Sequence, residues 1–381
     1  MNRSLGLITV FAVCTLLVTG CQRQTLMAEK MTKPFQETIE QQRQQWKIPG
    51  VSAAVILPDG TTWLGVSGKS SDSEAMDSAM LFGLASVSKT YIAALVVQLE
   101  AEGLLSIDDP IGKWLPELGR IDTDIPIRLL LNHTSGLYRY QQKPEFYTAI
   151  LTQPERLWKP QEILLEMQGE PECQPGQCFG ESAMDYVLLG MVIEEATGST
   201  VSSQLTGRFF KPLGLVNTFL YPEQVYPIEK MAHMWWDVSG TGEPVDVVKS
   251  AGALPQASLW SGVWTSGAIH ATAENLARFT KALFEGRVIQ PGALEEMLTP
   301  GPEISTDAHY GYSVIIEKID GKIVYWHTGG AGYSSVYLYV PEDSISIALL
   351  GNLMVDLKPA ALVLYEACVE HQKITTILQR Y

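Results

Sequence analysis

One heptapeptide of the chain combines a candidate nucleophile with a candidate base: Leu84-Ala85-Ser86-Val87-Ser88-Lys89-Thr90. Apolar residues at helical spacing follow it, so the sequence predicts a helix from Ser86 to Glu102 that ends at Gly103. Ser86 then opens the helix, and Lys89 lies one turn later on the same face. A serine hydroxyl is a weak nucleophile until a neighbour accepts its proton, and a desolvated lysine amine can do so. Taken alone the pattern is common, because a helix cap followed by a solvated lysine also produces it.

The strand patterns lie at the two ends of the chain. Residues 51–57 and 61–66 are apolar and β-branched, and Pro58-Asp59-Gly60 between them is a turn signal, which together predict a hairpin. The other predicted strands are Tyr312–Glu317, Lys322–Trp326, Val336–Val340 and Ile345–Leu350, and the clearest helices are Tyr186–Ala196, Ala273–Phe284 and Lys358–Glu370. This order predicts an α/β fold of the α+β type. In the predicted fold, residues from about 35–85 and 265–381 form an antiparallel sheet flanked by helices. Residues from about 86–264 form a helical subdomain.

Two further segments accompany the heptapeptide in a fixed order. They are Leu131-Asn132-His133-Thr134-Ser135-Gly136-Leu137 and Trp326-His327-Thr328-Gly329-Gly330. Together the three segments resemble the serine β-lactamase-related family, which includes class C β-lactamases, DD-peptidases and the family VIII esterases. The resemblance extends from about Lys47 to Asn352 and implies a β-lactamase/transpeptidase-like fold.

The resemblance implies a role for each matching residue. Ser86 would be the acylated nucleophile and Lys89 its general base. His327-Thr328-Gly329 would occupy the place of the family's Lys-Thr-Gly strand motif, and the backbone N–H groups of Ser86 and Gly330 would form the oxyanion hole. His133 belongs to a family segment outside the catalytic set, and a structural role is expected for it. No metal or organic cofactor is implied.

The family's Tyr-x-Asn motif is broken in this chain. Counting back from the helix at Tyr186, its place reads Glu181-Ser182-Ala183, so neither the phenol nor the amide is present. Three hypotheses follow. In the first, Glu181 replaces the phenol as the acid–base group and the protein remains a working serine hydrolase. A carboxylate next to Lys89 would favour the charged ammonium form of the lysine, so Glu181 instead of Lys89 could be the base. Alternatively, Ser182 supplies the motif's hydroxyl. In the third hypothesis turnover is lost and the chain is a binding lipoprotein with a β-lactamase fold.

The expected reaction is acyl transfer through a seryl ester, on a small-molecule or peptide substrate with an ester or amide bond. A histidine at position 327 weakens the fixed positive charge that would hold a substrate carboxylate near neutral pH. An esterase or a peptidase-like hydrolase is therefore favoured over a potent β-lactamase. The net charge of −15 and the absence of a basic stripe argue against nucleic-acid binding.

The first residues are typical of a bacterial lipoprotein leader. Residues 1–20 read as a signal peptide, and Leu17-Val18-Thr19-Gly20-Cys21 resembles a lipobox in which Cys21 receives palmitate. The alternative is an ordinary signal peptide with an incidental cysteine. Residues 21–34 would be a tether, and residues 35–381 the folded domain. The expected location is the cell envelope, on the periplasmic face of the outer membrane in a Gram-negative cell, with membrane attachment through the lipid alone.

The remaining cysteines suggest an exported protein. Cys173 and Cys178 enclose a Pro-Gly turn, which can bring the two thiols within bonding range in an oxidising compartment. A zinc site is less favoured, because no second Cys or His pair stands at ligand spacing. Cys368 lies in an apolar helical stretch and is expected to be a buried free thiol.

Overall fold

The main element of the fold is one large antiparallel sheet. The computed structural model describes residues 33–237, 240–248 and 256–378. In these residues nine strands form a sheet in the order β3-β2-β1-β14-β13-β12-β11-β10-β9. Its strands are β1 (Gly50–Ile56), β2 (Thr62–Ser71), β3 (Glu74–Ala75), β9 (Glu303–Ser305), β10 (Ala308–Tyr310), β11 (Ile315–Ile319), β12 (Lys322–Ala331), β13 (Tyr333–Val340) and β14 (Ile345–Gly351). Two smaller sheets contain the other strands of the described residues. One has three strands, β4 (Phe82–Gly83), β5 (Thr218–Leu220) and β8 (Ile269–Ala271), and the other has two, β6 (Trp235–Trp236) and β7 (Val245–Asp246).

The first and last strands of the described chain pair with each other inside the large sheet. β1 pairs with β2 on one side, in the predicted hairpin, and with β14 on the other, where Val51 lies opposite Gly351. The prediction of one antiparallel sheet built from both ends is therefore confirmed, while the proposed domain boundaries stay a prediction.

Helices cover both faces of the sheet and fill the middle of the chain. They are α1 (33–45), α2 (Ser88–Ala101), α3 (Ile127–Leu131), α4 (Pro144–Thr152), α5 (Pro160–Glu166), α6 (Ala183–Thr197), α7 (Val201–Leu205), α8 (Gln256–Val263), α9 (Ala273–Phe284), α10 (Pro291–Met297) and α11 (Lys358–Leu378). No helix in the described ranges is long and apolar enough to cross a membrane.

Side chains of β13 alternate between two separate apolar cores. Val336 and Leu338 point into an outer core with α1 and α11, whereas Tyr337 and Tyr339 point into an inner core with α2, α6 and α9. The sheet thus separates the layer formed by the first and last helices from the layer that carries the heptapeptide.

Several element bounds differ from the predicted ones, and two of these differences occur at the start of an element. The strand expected from Tyr312 begins at Ile315 instead, because Ser313 adopts a φ of 54° and Gly311 N–H bonds to the Val314 carbonyl in a turn. The helix expected from Ser86 begins as a 3₁₀ turn, Ala85–Val87, and becomes α-helical at Ser88.

Candidate active site

Ser86 lies in a tight turn that presents its side chain at the surface of the inner layer. Ala85 before it has a φ of 46°, a conformation that costs energy for a residue with a side chain. Two hydroxyl groups brace the turn: Ser335 Oγ donates to the Leu84 carbonyl (2.6 Å), and Ser88 Oγ accepts from Ile269 N–H (3.0 Å). The turn is thus fixed to β13 and β8, and the Ser86 hydroxyl remains partly exposed.

Lys89 connects the predicted nucleophile to the carboxylate at the broken motif. Its Nζ lies 2.6 Å from Ser86 Oγ and 3.0 Å from Glu181 Oε1. The Lys89 side chain is 4% exposed, whereas that of Glu181 is 38% exposed. The structure therefore brings the three predicted catalytic residues together, with Lys89 in the middle. Among the described contacts none joins Glu181 directly to Ser86.

Burial and the neighbouring positive charge shift the pKa of the Glu181 carboxyl in opposite directions. Burial raises the pKa of its carboxyl, but the ammonium of Lys89 outweighs burial and holds the pKa well below the usual value. Glu181 is therefore a carboxylate at neutral pH, and a poor proton acceptor by itself.

Ser182 does not take the hydroxyl role that the second hypothesis gave it. Its side chain caps α6 by accepting from Met184 N–H (3.2 Å), and it donates to the Tyr138 carbonyl (3.0 Å). The residue is fully buried. Because both hydrogen bonds go to the backbone, the hydroxyl fixes the start of α6, and the structure does not bring it to Ser86 or Lys89.

His327 is buried and neutral. Its Nδ1–H donates to the Thr328 carbonyl (2.7 Å), because a carbonyl can only accept, so Nε2 accepts from Tyr310 O–H (2.9 Å). The ring is 2% exposed, and burial lowers its pKa to about 4. Burial also raises the pKa of Tyr310 well above its usual value, so the phenol keeps its proton. Sequence reasoning missed Tyr310, since no recognised motif contains it.

The second half of β12 is an open strand edge beside the Ser86 turn. β11 pairs with β12 only from Lys322 to Trp326, so in the described chain 327–331 pairs with β13 alone. At Gly329 a Cβ would lie 2.2 Å from the Leu84 carbonyl oxygen and 2.9 Å from Ser86 N. Only glycine permits this approach of strand and turn. Gly330, the next residue, is exposed.

His133 forms a buried pair with Asp185 of α6, the helix that begins directly after the Glu181-Ser182 segment. Its Nδ1 lies 2.6 Å from Asp185 Oδ2, both side chains are fully buried, and Ser135 Oγ donates to the other Asp185 oxygen. Burial, only partly offset by His133, raises the pKa of Asp185. The buried pair joins the 133–136 segment to α6, in agreement with the structural role expected for His133.

A disulfide closes the loop that leads to Glu181. Cys173 and Cys178 are bonded, and Cys368 is a buried free thiol. Backbone hydrogen bonds hold this loop against the His133 segment: Gly176 N–H donates to the Thr134 carbonyl and Gly180 N–H to the His133 carbonyl. Cys21 lies outside the described residues. Within those residues no group of three His, Cys, Asp or Glu side chains is placed to hold a metal ion.

Comparisons with known proteins agree on one family. A family model described as "Beta-lactamase" matches residues 35–367. Penicillin-binding protein 4* of Bacillus subtilis is 27% identical over 289 residues, which is 71% of this chain and 60% of that protein. The chain thus spans less than two thirds of that relative's length.

Two solved structures are similar over most of their length. A D-stereospecific amidohydrolase from Streptomyces sp. has a TM-score of 0.73 and 28% identity, covering 84% of this chain and 94% of the other. A D-amino acid amidase from Ochrobactrum anthropi SV3 has a TM-score of 0.76 and 25% identity, covering 90% and 99%.

Proposed function

The chain belongs to the beta-lactamase family, and on that premise we propose that it is a serine hydrolase that cleaves an ester or amide through an acyl-Ser86 intermediate. Family membership confirms the predicted β-lactamase/transpeptidase-like fold. The observation that carries the activity is the contact of Lys89 Nζ with Ser86 Oγ at 2.6 Å, beside an open strand edge lined by glycine. Relatives named as amidases favour an amide or ester substrate over other bond types.

The reaction needs one proton carrier in contact with Ser86. As Ser86 Oγ bonds to the acyl carbon, its proton passes to the neutral amine of Lys89, which returns it to the departing alcohol or amine. The N–H groups of Ser86 and Gly330 are the proposed donors to the oxyanion. Water then attacks the acyl-Ser86 ester, Lys89 accepts its proton, and the free acid leaves as Ser86 Oγ recovers a proton. Glu181, which reaches Lys89 alone, acts here by holding and orienting the lysine.

A labelling experiment tests this proposal. The purified domain is incubated with a fluorescent fluorophosphonate and, separately, with a fluorescent penicillin, and covalent adducts are located by peptide mass spectrometry. We expect an adduct on Ser86 with the fluorophosphonate at least, and none in Ser86→Ala. A properly folded wild-type protein that forms no adduct with either probe would exclude the hydrolase.

One observation favours a second candidate function, a binding protein without turnover. Lys89 Nζ forms an ion pair with the Glu181 carboxylate at 3.0 Å, and an ammonium group cannot accept the Ser86 proton. A protein without turnover would bind an acyl ligand beside Ser86 reversibly. The same experiment separates the two, because a binding protein would retain the penicillin by reversible association and lose it on denaturation.

We also propose that the protein is attached to the cell envelope through lipid on Cys21. The support is the leader pattern of residues 1–21, with an apolar segment followed by Leu17–Cys21. Metabolic labelling with a palmitate analogue in the producing cell should mark the wild type and leave Cys21→Ser unmarked. Equal labelling of both would contradict the anchor.

A further inference from the structure

Glu181 has one carboxylate oxygen that the protein does not use. Oε1 accepts from Lys89, while no contact within the described residues engages Oε2. More than a third of the side chain is exposed, although its neighbours Lys89 and His327 are buried. Its backbone is held firmly, since Gln141 Nε2 donates to the Glu181 carbonyl (2.8 Å). Glu181 is therefore a fixed, partly exposed carboxylate with a free oxygen, and Lys89 connects it to the nucleophile.

The groups around Ser86 offer little to a negatively charged substrate group. Both ring nitrogens of His327 are bonded inside the protein, so it presents neither a charge nor a donor. Lys89 is paired with Glu181. Two further cations, Arg139 and Lys143, share the carboxylate of Glu172 at 2.8 and 3.3 Å. Among the described residues these three cations thus each have an anionic partner, and Arg139 Nε is the one donor of the three that is buried without a hydrogen bond.

We propose that Glu181 Oε2 is the binding site for a positively charged amino group on the acyl part of the substrate, which makes amino-acyl esters and amides the substrate class. This inference rests on the proposed hydrolase function. In such a substrate the α-amino nitrogen is two bonds from the carbonyl carbon that Ser86 attacks. An acyl group seated on Ser86 therefore places its ammonium beside Lys89 and within the reach of Glu181.

A matched substrate series tests the proposal at about pH 6.5, where an α-amine is protonated. The series consists of alanine, N-acetylalanine and N-succinylalanine 4-nitroanilides, in both D and L forms, with the corresponding 4-nitrophenyl esters corrected for spontaneous hydrolysis. We expect kcat/KM to be highest for the alanine substrates, which carry an ammonium group, lower for the neutral N-acetyl substrates and lowest for the anionic N-succinyl substrates. The ammonium substrate should exceed the neutral one by about 10- to 100-fold, the value of a hydrogen bond to a charged group.

Two variants assign that preference to a residue. Glu181→Gln should reduce the ratio of ammonium to neutral substrate to near that of the spontaneous reactions. Glu170→Gln removes one negative charge from an exposed position in the same loop region and should leave the ratio unchanged. A ratio that survives Glu181→Gln, or that falls equally in Glu170→Gln, would overturn the proposal.

Binding to Ser86→Ala separates this inference from the proposed function. By calorimetry, Ser86→Ala should bind alaninamide at least about tenfold more tightly than N-acetylalaninamide, and Ser86→Ala/Glu181→Gln should bind both alike. If neutral nitrophenyl esters are hydrolysed in a Ser86-dependent manner without any ammonium preference, the hydrolase stands and the ammonium site fails. If nothing is hydrolysed but alaninamide still binds through Glu181, the site stands and the hydrolase fails.

Discussion

At the scale of single residues, Gly329 is where the strand edge and the Ser86 turn approach most closely. A methyl group there would lie 2.2 Å from the Leu84 carbonyl oxygen and 2.9 Å from Ser86 N, both backbone atoms that cannot rotate away. We predict that Gly329→Ala moves the turn away from β12. The rate of fluorophosphonate labelling should fall by about 100-fold, because small displacements of reacting groups are costly, and the free energy of unfolding by about 1–3 kcal/mol.

Gly292→Ala is the matched control for this prediction. A Cβ at Gly292, in α10, would meet no atom within 4 Å, and its backbone is helical. The labelling rate should stay at the wild-type value, and stability should be equal or slightly higher, since alanine favours a helix. Wild-type labelling in Gly329→Ala would show that the close approach is not needed for acylation.

Residue spacing predicted only the local part of the site. Ser86 and Lys89 lie one turn apart on one helix, so the sequence places them together, and the structure agrees. Counting back from Tyr186 identifies Glu181 as a candidate. The sequence does not predict its contact with Lys89, because that contact depends on where α6 packs. Tyr310 was missed because its bond to His327 joins two different strands, and strand pairing sets that distance.

At the scale of elements, the disulfide loop and α6 together position Glu181. The loop from Cys173 to Cys178 is held to the His133 segment by backbone hydrogen bonds, and Glu181 follows it directly before α6. We predict that the double variant Cys173→Ser/Cys178→Ser loses about 2 kcal/mol of unfolding free energy, and that acylation slows by about tenfold or more as Glu181 and Lys89 lose alignment.

Reduction provides the control for the loop. A reductant should bring the wild type to the labelling rate of the double serine variant and leave that variant unchanged, since Cys368 is already a free thiol. Stopped-flow labelling and thermal unfolding, with and without reductant, measure both effects. An oxidised wild type and a reduced one that acylate equally fast would remove the loop from the positioning of Glu181.

Periodic elements were predicted better than their ends. α9 matches its predicted bounds, Ala273–Phe284, because its apolar residues repeat at helical spacing and Thr272 caps it. β12 extends five residues beyond the predicted Trp326, through the two glycines. Glycine lowers strand propensity, so the pattern ended there, whereas pairing with β13 continues the strand. Local propensity therefore does not predict the open strand edge that lies beside Ser86.

At the scale of the whole molecule, the sheet separates an outer core from the inner core that carries the candidate active site. The outer core joins α1 and α11 to the sheet: Phe35 is fully buried, with its ring edge-on to Trp63 at 5.4 Å and near His371 at 5.8 Å. The inner core holds α2, the helix of Lys89, where Tyr91 stacks on Phe279 at 3.6 Å. Because β13 sends alternate side chains to the two cores, a cavity in one does not open into the other.

Two large-to-small substitutions test this division. Phe35→Ala and Tyr91→Ala each empty a fully buried aromatic site, so each should lower the free energy of unfolding by about 3–5 kcal/mol. Only Tyr91→Ala lies on the helix that positions Lys89, so only this variant should also slow Ser86 labelling, measured at a temperature where both variants remain folded. If Phe35→Ala slowed labelling as much as Tyr91→Ala at equal stability, the sheet would transmit strain between its faces, and the outer helices would belong to the catalytic framework.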